Sequence, residues 1–192
     1  MQGYDPTFQR SFLISGGGGD DVNDKVYFRH ESCFREDAAM VVLKHRSNIK
    51  DNMPYAEVLH VGSTAVAGAL TKGDVDLQVR VPQNKFEGAK EVLKQWYSVN
   101  KGSYQSHYFC AFEQPDEVLP LGIQLTAIGS DLDHFWKLTY FFKEHPDYIK
   151  AYNAIKEKHN RQSMEKYREA KSAFIENIFS SPEYKAFGQA LF

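Results

Sequence analysis

Between positions 75 and 81 apolar and polar residues alternate without a break: Val75, Leu77, Val79 and Val81 are apolar, while Asp76, Gln78 and Arg80 fall between them and Asp74 precedes them. A period of two, bounded by Gly73 and Pro82, predicts a strand with one buried face. Residues 57–61 form a second short apolar segment that ends at Gly62, as a buried strand ends in a turn. Strands are also predicted near residues 105–112 and 121–128, either side of a turn-rich stretch over 113–120. Over residues 26–49 the positions Val26, Cys33, Phe34, Ala38, Val41 and Val42 recur at helical spacing, which predicts one amphipathic helix or two short ones. Asn84 followed by Glu87 reads as a capping box, opening a helix with the stripe Phe86, Ala89, Leu93 and Trp96. Three helices are predicted in the last third: from Asp131 with Phe135 and Thr139 inward, from Pro146 with Ile149 and Tyr152 inward, and after Ser163 with Tyr167, Phe174 and Ile178 inward. This order implies an α+β fold with a small mixed sheet, flanked by helices and completed by a helical C-terminal third.

Composition narrows the class. The chain has 192 residues, 42% of them hydrophobic and 25% charged, a mix that places residues 26–192 in a single globular domain. Gly16 to Gly19 followed by Asp20, Asp21 and Asp24 reads as a linker, so residues 1–25 are expected to form a flexible leader. No Lys-Ser/Thr pair follows those glycines, which argues against a phosphate-cradling loop there. A formal net charge of −2 gives no global field for nucleic acid or a membrane surface, so any polyanion must be held by a local site. Cys33 and Cys110 are too few for a disulfide framework and read as two buried thiols. No apolar run approaches the ~20 residues of a membrane span and no secretory signal is visible, so a cytoplasmic location is expected. The seven histidines lack the spacing of a zinc site.

The chemistry concentrates in His60-Val61-Gly62-Ser63, then ten residues, then Asp74-Val75-Asp76-Leu77. On a strand, Asp74 and Asp76 project from one face with Cα atoms roughly 6 to 7 Å apart, close enough to share one hard cation or to bridge two. Such a pair is often only a solvated face, but its position after a strand and a Gly-Ser turn favours a nucleotide site. Gly62 permits close approach of the backbone, and the hydroxyl and N–H of Ser63 suit phosphate oxygens. Lys72, just before the Asp pair, is placed either to reach a β- or γ-phosphate or to be solvated in its loop. His60 adjoins the turn and is read as orienting it through a hydrogen bond. These parts describe phosphoryl or nucleotidyl transfer with a divalent metal, magnesium or manganese.

His60-Val61-Gly62-Ser63-Thr64-Ala65-Val66, followed by Gly68, Lys72 and Asp76, resembles the signature of the GrpB-like proteins, members of the nucleotidyltransferase superfamily. The likeness continues through Ile123-Gln124-Leu125, His145-Pro146, Tyr152 with Lys156, and Tyr167 with Lys171 and Phe174. It implies a nucleotidyltransferase-like fold in which Gly62 and Ser63 face nucleotide phosphates, Asp74 and Asp76 bind magnesium, and Lys156 and Lys171 complete a triphosphate pocket. Three departures accompany it. Asp74 stands where the family usually has an apolar residue, which favours metal binding. Gln124 stands where the superfamily has a third carboxylate; its carbonyl oxygen suits weak coordination, but an amide cannot act as a general base. Thr139 and Tyr140 replace an Arg-Asp pair, which implies loss of a substrate contact. Tyr4-Asp5-Pro6 resembles the family's N-terminal motif.

The expected activity is magnesium-dependent transfer of a nucleoside monophosphate from a nucleoside triphosphate to an unidentified acceptor. The alternative is a nucleotide-binding or regulatory module that has the pocket without turnover, as Gln124 would allow.

Overall fold

The computed structural model describes residues 25–190. The Gly16 to Gly19 run, Tyr4-Asp5-Pro6 and the rest of the expected leader before Lys25 lie outside the described residues.

Seven strands and six helices follow in order: β1 (Arg29–His30), α1 (Arg35–Asn52), β2 (Glu57–Val61), β3 (Leu70–Thr71), β4 (Val75–Val81), α2 (Phe86–Leu93), β5 (Ser98–Val99), β6 (Phe109–Gln114), β7 (Leu121–Ala127), α3 (Phe135–Glu144), α4 (Pro146–His159), α5 (Met164–Ser180) and α6 (Pro182–Ala190). The main sheet has the order β2-β4-β7-β6-β5, with β4 parallel to β7 and the other pairs antiparallel. β1 and β3 form a separate two-stranded ribbon. The architecture is the α+β arrangement expected, a small mixed sheet flanked by helices with a helical last third.

The two faces of β4 explain where the site lies. Val75, Leu77, Val79 and Val81 are fully buried on one face, packed with Val41 and Ile49 of α1 and with Phe86 and Leu93 of α2. The other face carries Asp76, Gln78 and Arg80, paired in register with Gly122, Gln124 and Thr126 of β7. Over that polar face stand the C-terminal helices, held by a second cluster that includes Leu138, Phe141, Phe142, Ile149, Tyr152, Ile175 and Tyr184. Toward the far end of β4, Arg80 grips Asp133 through Nε and Nη2 at 2.6 and 2.7 Å, and Gln78 donates to the same carboxylate at 3.0 Å. Buried polar groups are tolerable there because they satisfy one another.

Several expectations need correction. Val26 and Cys33 are not on the first helix. The segment before it is extended to His30 and then makes a 3-10 turn over Glu31–Cys33; Val26 exchanges backbone hydrogen bonds with Arg161 and Gln162 and packs on Tyr167, so its burial comes from a distant loop and not from a helix face. The Asn84 capping box does not form, since a 3-10 turn over Gln83–Lys85 makes Lys85 the residue before α2, with no side-chain cap. Trp96 lies beyond that helix and is exposed, not part of its buried stripe. The helix expected from Asp131 begins at Phe135, because residues 128–134 are spent on turns that aim Asp133 at Arg80. Cys33 is exposed on its 3-10 turn and only Cys110 is a buried thiol. α6 and the two-residue strands β1, β3 and β5 were too short or too weakly periodic to predict. No helix among the described residues is long and apolar enough to cross a membrane.

Candidate functional site

β2 ends at Val61, directly opposite Asp76 of β4. Gly62 then turns the chain with φ of 76°, a left-handed conformation that glycine adopts without steric cost, and a 3-10 turn over Ser63–Ala65 follows. A second reason for glycine is space: a Cβ on Gly62 would stand 2.7 Å from Asp76 Oδ2. On the other side, a Cβ on Gly122 of β7 would stand 2.9 Å from Asp76 Oδ1. The carboxylate therefore occupies a slot made by two absent side chains. The Gly62 N–H itself is taken by Thr139 Oγ1 of α3 at 3.1 Å, so Thr139 holds the turn in place.

Asp74 sits immediately before β4, and its backbone is fixed by a short relay. Thr64 Oγ1 donates its proton to the Asp74 carbonyl at 3.1 Å, so at 3.0 Å it accepts from His60 Nε2–H. His60 thus orients the turn as expected. Burial, with the Lys143 and Arg46 charges adding to it, pushes the imidazole pKa down to about 4, which keeps it neutral.

The two carboxylates titrate apart. Asp76 is pushed up to about 7 by burial and by the neighbouring Asp74 charge. Burial also opposes the charge on Asp74, but the Lys72 ammonium, 3.2 Å from Asp74 Oδ2, and Lys171 together bring its carboxyl below the ordinary value. Lys171 is itself held below its usual range by burial, with the Asp76 charge pulling the other way. Lys156 is 1% exposed and donates to Ser63 Oγ at 2.7 Å and to the Leu70 carbonyl, while its ammonium lies 3.9 Å from the centre of the Tyr152 ring. Burial, reinforced by Lys171, lowers the Lys156 pKa strongly. Because Ser63 Oγ accepts from Lys156, its own proton is left to donate.

All eight residues singled out from the sequence line one pocket: Gly62, Ser63, Lys72, Asp74, Asp76, Gln124, Lys156 and Lys171. Its walls are aromatic and aliphatic, with Phe28, Phe135, Leu138, Tyr152, Tyr167 and Ile175 prominent. Sequence reading missed Gly122 and the positioning roles of Thr64 and Thr139. A glycine opposite the second Asp of a strand pair is the signal that would have exposed Gly122. Gln124 also lines the pocket, and its side chain hydrogen-bonds Asp76. Among the described residues no third His, Cys, Asp or Glu joins the two carboxylates to make a metal cage. Magnesium is commonly held by one or two carboxylates together with substrate phosphates and water. Two repelling carboxylates, open to a pocket that also presents lysines, fit such a shared ion and do not fit a site built by protein alone.

Residues 29–181 match the model of the family described as GrpB protein. A UPF0157 protein of Vibrio cholerae serotype O1 is 25% identical over 158 residues, covering 82% of this chain and 84% of its own. A UPF0157 protein of Deinococcus radiodurans is 27% identical over 139 residues, covering 70% and 72% respectively. The crystal structure of the conserved protein GrpB from Enterococcus faecalis shares the fold, with a TM-score of 0.65 at 16% identity over 86% of this chain and 99% of that one.

Proposed function

The chain belongs to the GrpB family, and we propose that its pocket binds a nucleoside triphosphate with magnesium and transfers the nucleoside monophosphate to an acceptor, releasing pyrophosphate. The observation that carries this reading is the convergence of Asp74, Asp76, Ser63, Lys72 and Lys171 on one pocket between the sheet and the C-terminal helices. Cations alone would suit any anion, and carboxylates alone any metal. Both kinds of group in one pocket suit an anion that brings its own metal.

In this reading each residue has a task. Gly62 supplies the turn and the space beside Asp76. Ser63, accepting from Lys156, offers its hydroxyl proton to a phosphate oxygen. Lys171 and Lys72 balance phosphate charge, with Arg168 on the same wall. Asp74 and Asp76 would hold the magnesium, which when bound supplies charge stabilisation for the displaced pyrophosphate. The aromatic walls exclude water and offer flat surfaces for a base.

Gln124 favours a second reading, nucleotide binding without turnover. Its side chain hydrogen-bonds Asp76, where an acid would help to activate the acceptor, and its amide cannot take a proton. Release of pyrophosphate separates the two. The purified protein is incubated with magnesium, each of the four common ribonucleoside triphosphates, and small-molecule or protein acceptors. Pyrophosphate release that depends on Asp76 supports transfer; nucleotide binding without release supports the second reading, and absence of both refutes the pocket assignment.

A further inference from the structure

We propose that Lys72 is the resident counter-ion of Asp74, occupying the side of the carboxylate that a divalent cation would take, so that metal enters only as a triphosphate draws the lysine away. This inference rests on the reading of the pocket as a magnesium–triphosphate site and adds a rule for how the two ligands enter it.

The geometry begins with the three-residue link between β3 and β4. Thr71 Oγ1 accepts from the Gly73 N–H at 3.1 Å, closing a small side-chain turn around Lys72. Gly73 has φ of 96°, and a Cβ there would meet the Phe34 ring at 2.8 Å, so the turn is packed as well as hydrogen-bonded. Lys72 and Asp74 are thereby folded onto the same side, with Nζ 3.2 Å from Oδ2. Both side chains are only about a quarter exposed, 22% for Lys72 and 24% for Asp74. The pair is desolvated enough to persist, yet Lys72 keeps a flexible stem and a route to solvent.

The three lysines of the pocket divide their work on this geometry. Lys156 is committed to Ser63, Leu70 and the Tyr152 ring and is fully buried. Lys171 lies on α5, and its charge acts on Asp76 and Asp74. Lys72 pairs with Asp74 from within the same short link, two residues away. An ammonium and a divalent cation cannot both occupy one carboxylate edge at contact distance without strong repulsion. A triphosphate supplies the alternative partner, because its β- and γ-oxygens compete for Nζ as the metal competes for Oδ2. The consequence is positive coupling: bare metal binds weakly, a metal-free polyphosphate binds partly through Lys72, and each ligand improves the site for the other.

The test uses the full chain with Lys72→Met, which keeps the apolar stem and deletes the charge, and Lys72→Gln as a second variant. Circular dichroism and thermal melting establish that each is folded. Manganese chloride alone is titrated and followed by the electron paramagnetic resonance of the free ion. Inorganic tripolyphosphate is titrated separately in the presence of a chelator by calorimetry. Both variants are expected to bind Mn2+ about tenfold more tightly than the parent chain and tripolyphosphate about tenfold more weakly, and the gain in Mn2+ affinity is expected to vanish when Asp74→Asn is added. Unchanged or weaker Mn2+ binding in a folded Lys72→Met protein would overturn the inference. If the parent chain nevertheless binds magnesium with a non-hydrolysable nucleoside triphosphate, the function proposed above stands and only the counter-ion role of Lys72 fails. If the variants gain Mn2+ affinity but no such nucleotide analogue binds the parent chain, the counter-ion role holds and the nucleotide reading fails.

Discussion

Gly122 faces Asp76 across the parallel pairing of β7 with β4, and a methyl group on it would stand 2.9 Å from Asp76 Oδ1. The carboxylate is the displaceable partner in that contact, since its position is set by a side-chain torsion and the backbone around it by the sheet. Gly122→Ala is expected to change unfolding free energy by no more than about 1 kcal/mol and to weaken binding of magnesium with a non-hydrolysable nucleoside triphosphate by about tenfold. Urea denaturation and calorimetry on one preparation check both. A large stability loss with unchanged binding would show that the absent side chain serves packing and not the carboxylate.

Lys156 and Ser63 form a second testable pair. If Lys156 acts by orienting the Ser63 hydroxyl, the effects of Lys156→Met and Ser63→Ala on tripolyphosphate affinity should not add: most of the loss caused by Lys156→Met should disappear in the Ser63→Ala background. Independent phosphate contacts would add to within about 0.5 kcal/mol. Lys156→Met also removes the hydrogen bond to the Leu70 carbonyl, and the expected stability loss is about 1 kcal/mol, read by urea denaturation.

His60 links the turn to pH. Its pKa is lowered by burial from 6.5 to about 4 in the folded protein. As pH falls below the unfolded value, the unfolded chain takes up a proton that the native imidazole refuses. Stability from this group is therefore fully present above about pH 6.5 and is lost between there and about pH 4. His60→Gln, which preserves a donor for Thr64, should flatten that window by up to about 3 kcal/mol relative to the parent chain. Urea denaturation at pH 7.5, 5.5 and 4.5 measures the difference. Parallel profiles for the two proteins would show that His60 does not remain neutral in the fold.

The parts of the fold legible in the sequence were those with an uninterrupted period. The alternation gives both ends of β4 because its inward face is all Val and Leu, and Pro146 gives the start of α4. The eight pocket residues were reachable because a Gly-Ser turn and an Asp pair at fixed spacing have few structural uses, and because the family resemblance carried Lys156 and Lys171 along. What failed depended on contacts distant in sequence. Val26 is buried by the loop that precedes α5, the start of α3 is delayed by the demand of Arg80 for Asp133, and Thr139 reads as a lost substrate contact until the Gly62 N–H is seen bonded to it. Gly122 is legible only once the strand pairing is known, because its reason for being glycine lies on another strand.

Asp76 is where the nucleotide reading is most exposed to test, since burial and the Asp74 charge oppose its ionisation more than Lys171, Lys72 and the Gln124 hydrogen bond support it. Asp76→Asn keeps the volume and removes the repulsion, so near pH 7.5 the ligand-free variant should be more stable by about 1–2 kcal/mol. The direct measurement is a calorimetric titration of magnesium with a non-hydrolysable nucleoside triphosphate into the parent chain and into Asp76→Asn. The expected result is binding of one equivalent by the parent chain, weakened at least tenfold in a variant that melts no lower. Equal affinity in the two proteins, or no binding to the parent chain by any of the four nucleotide analogues, would contradict the assignment.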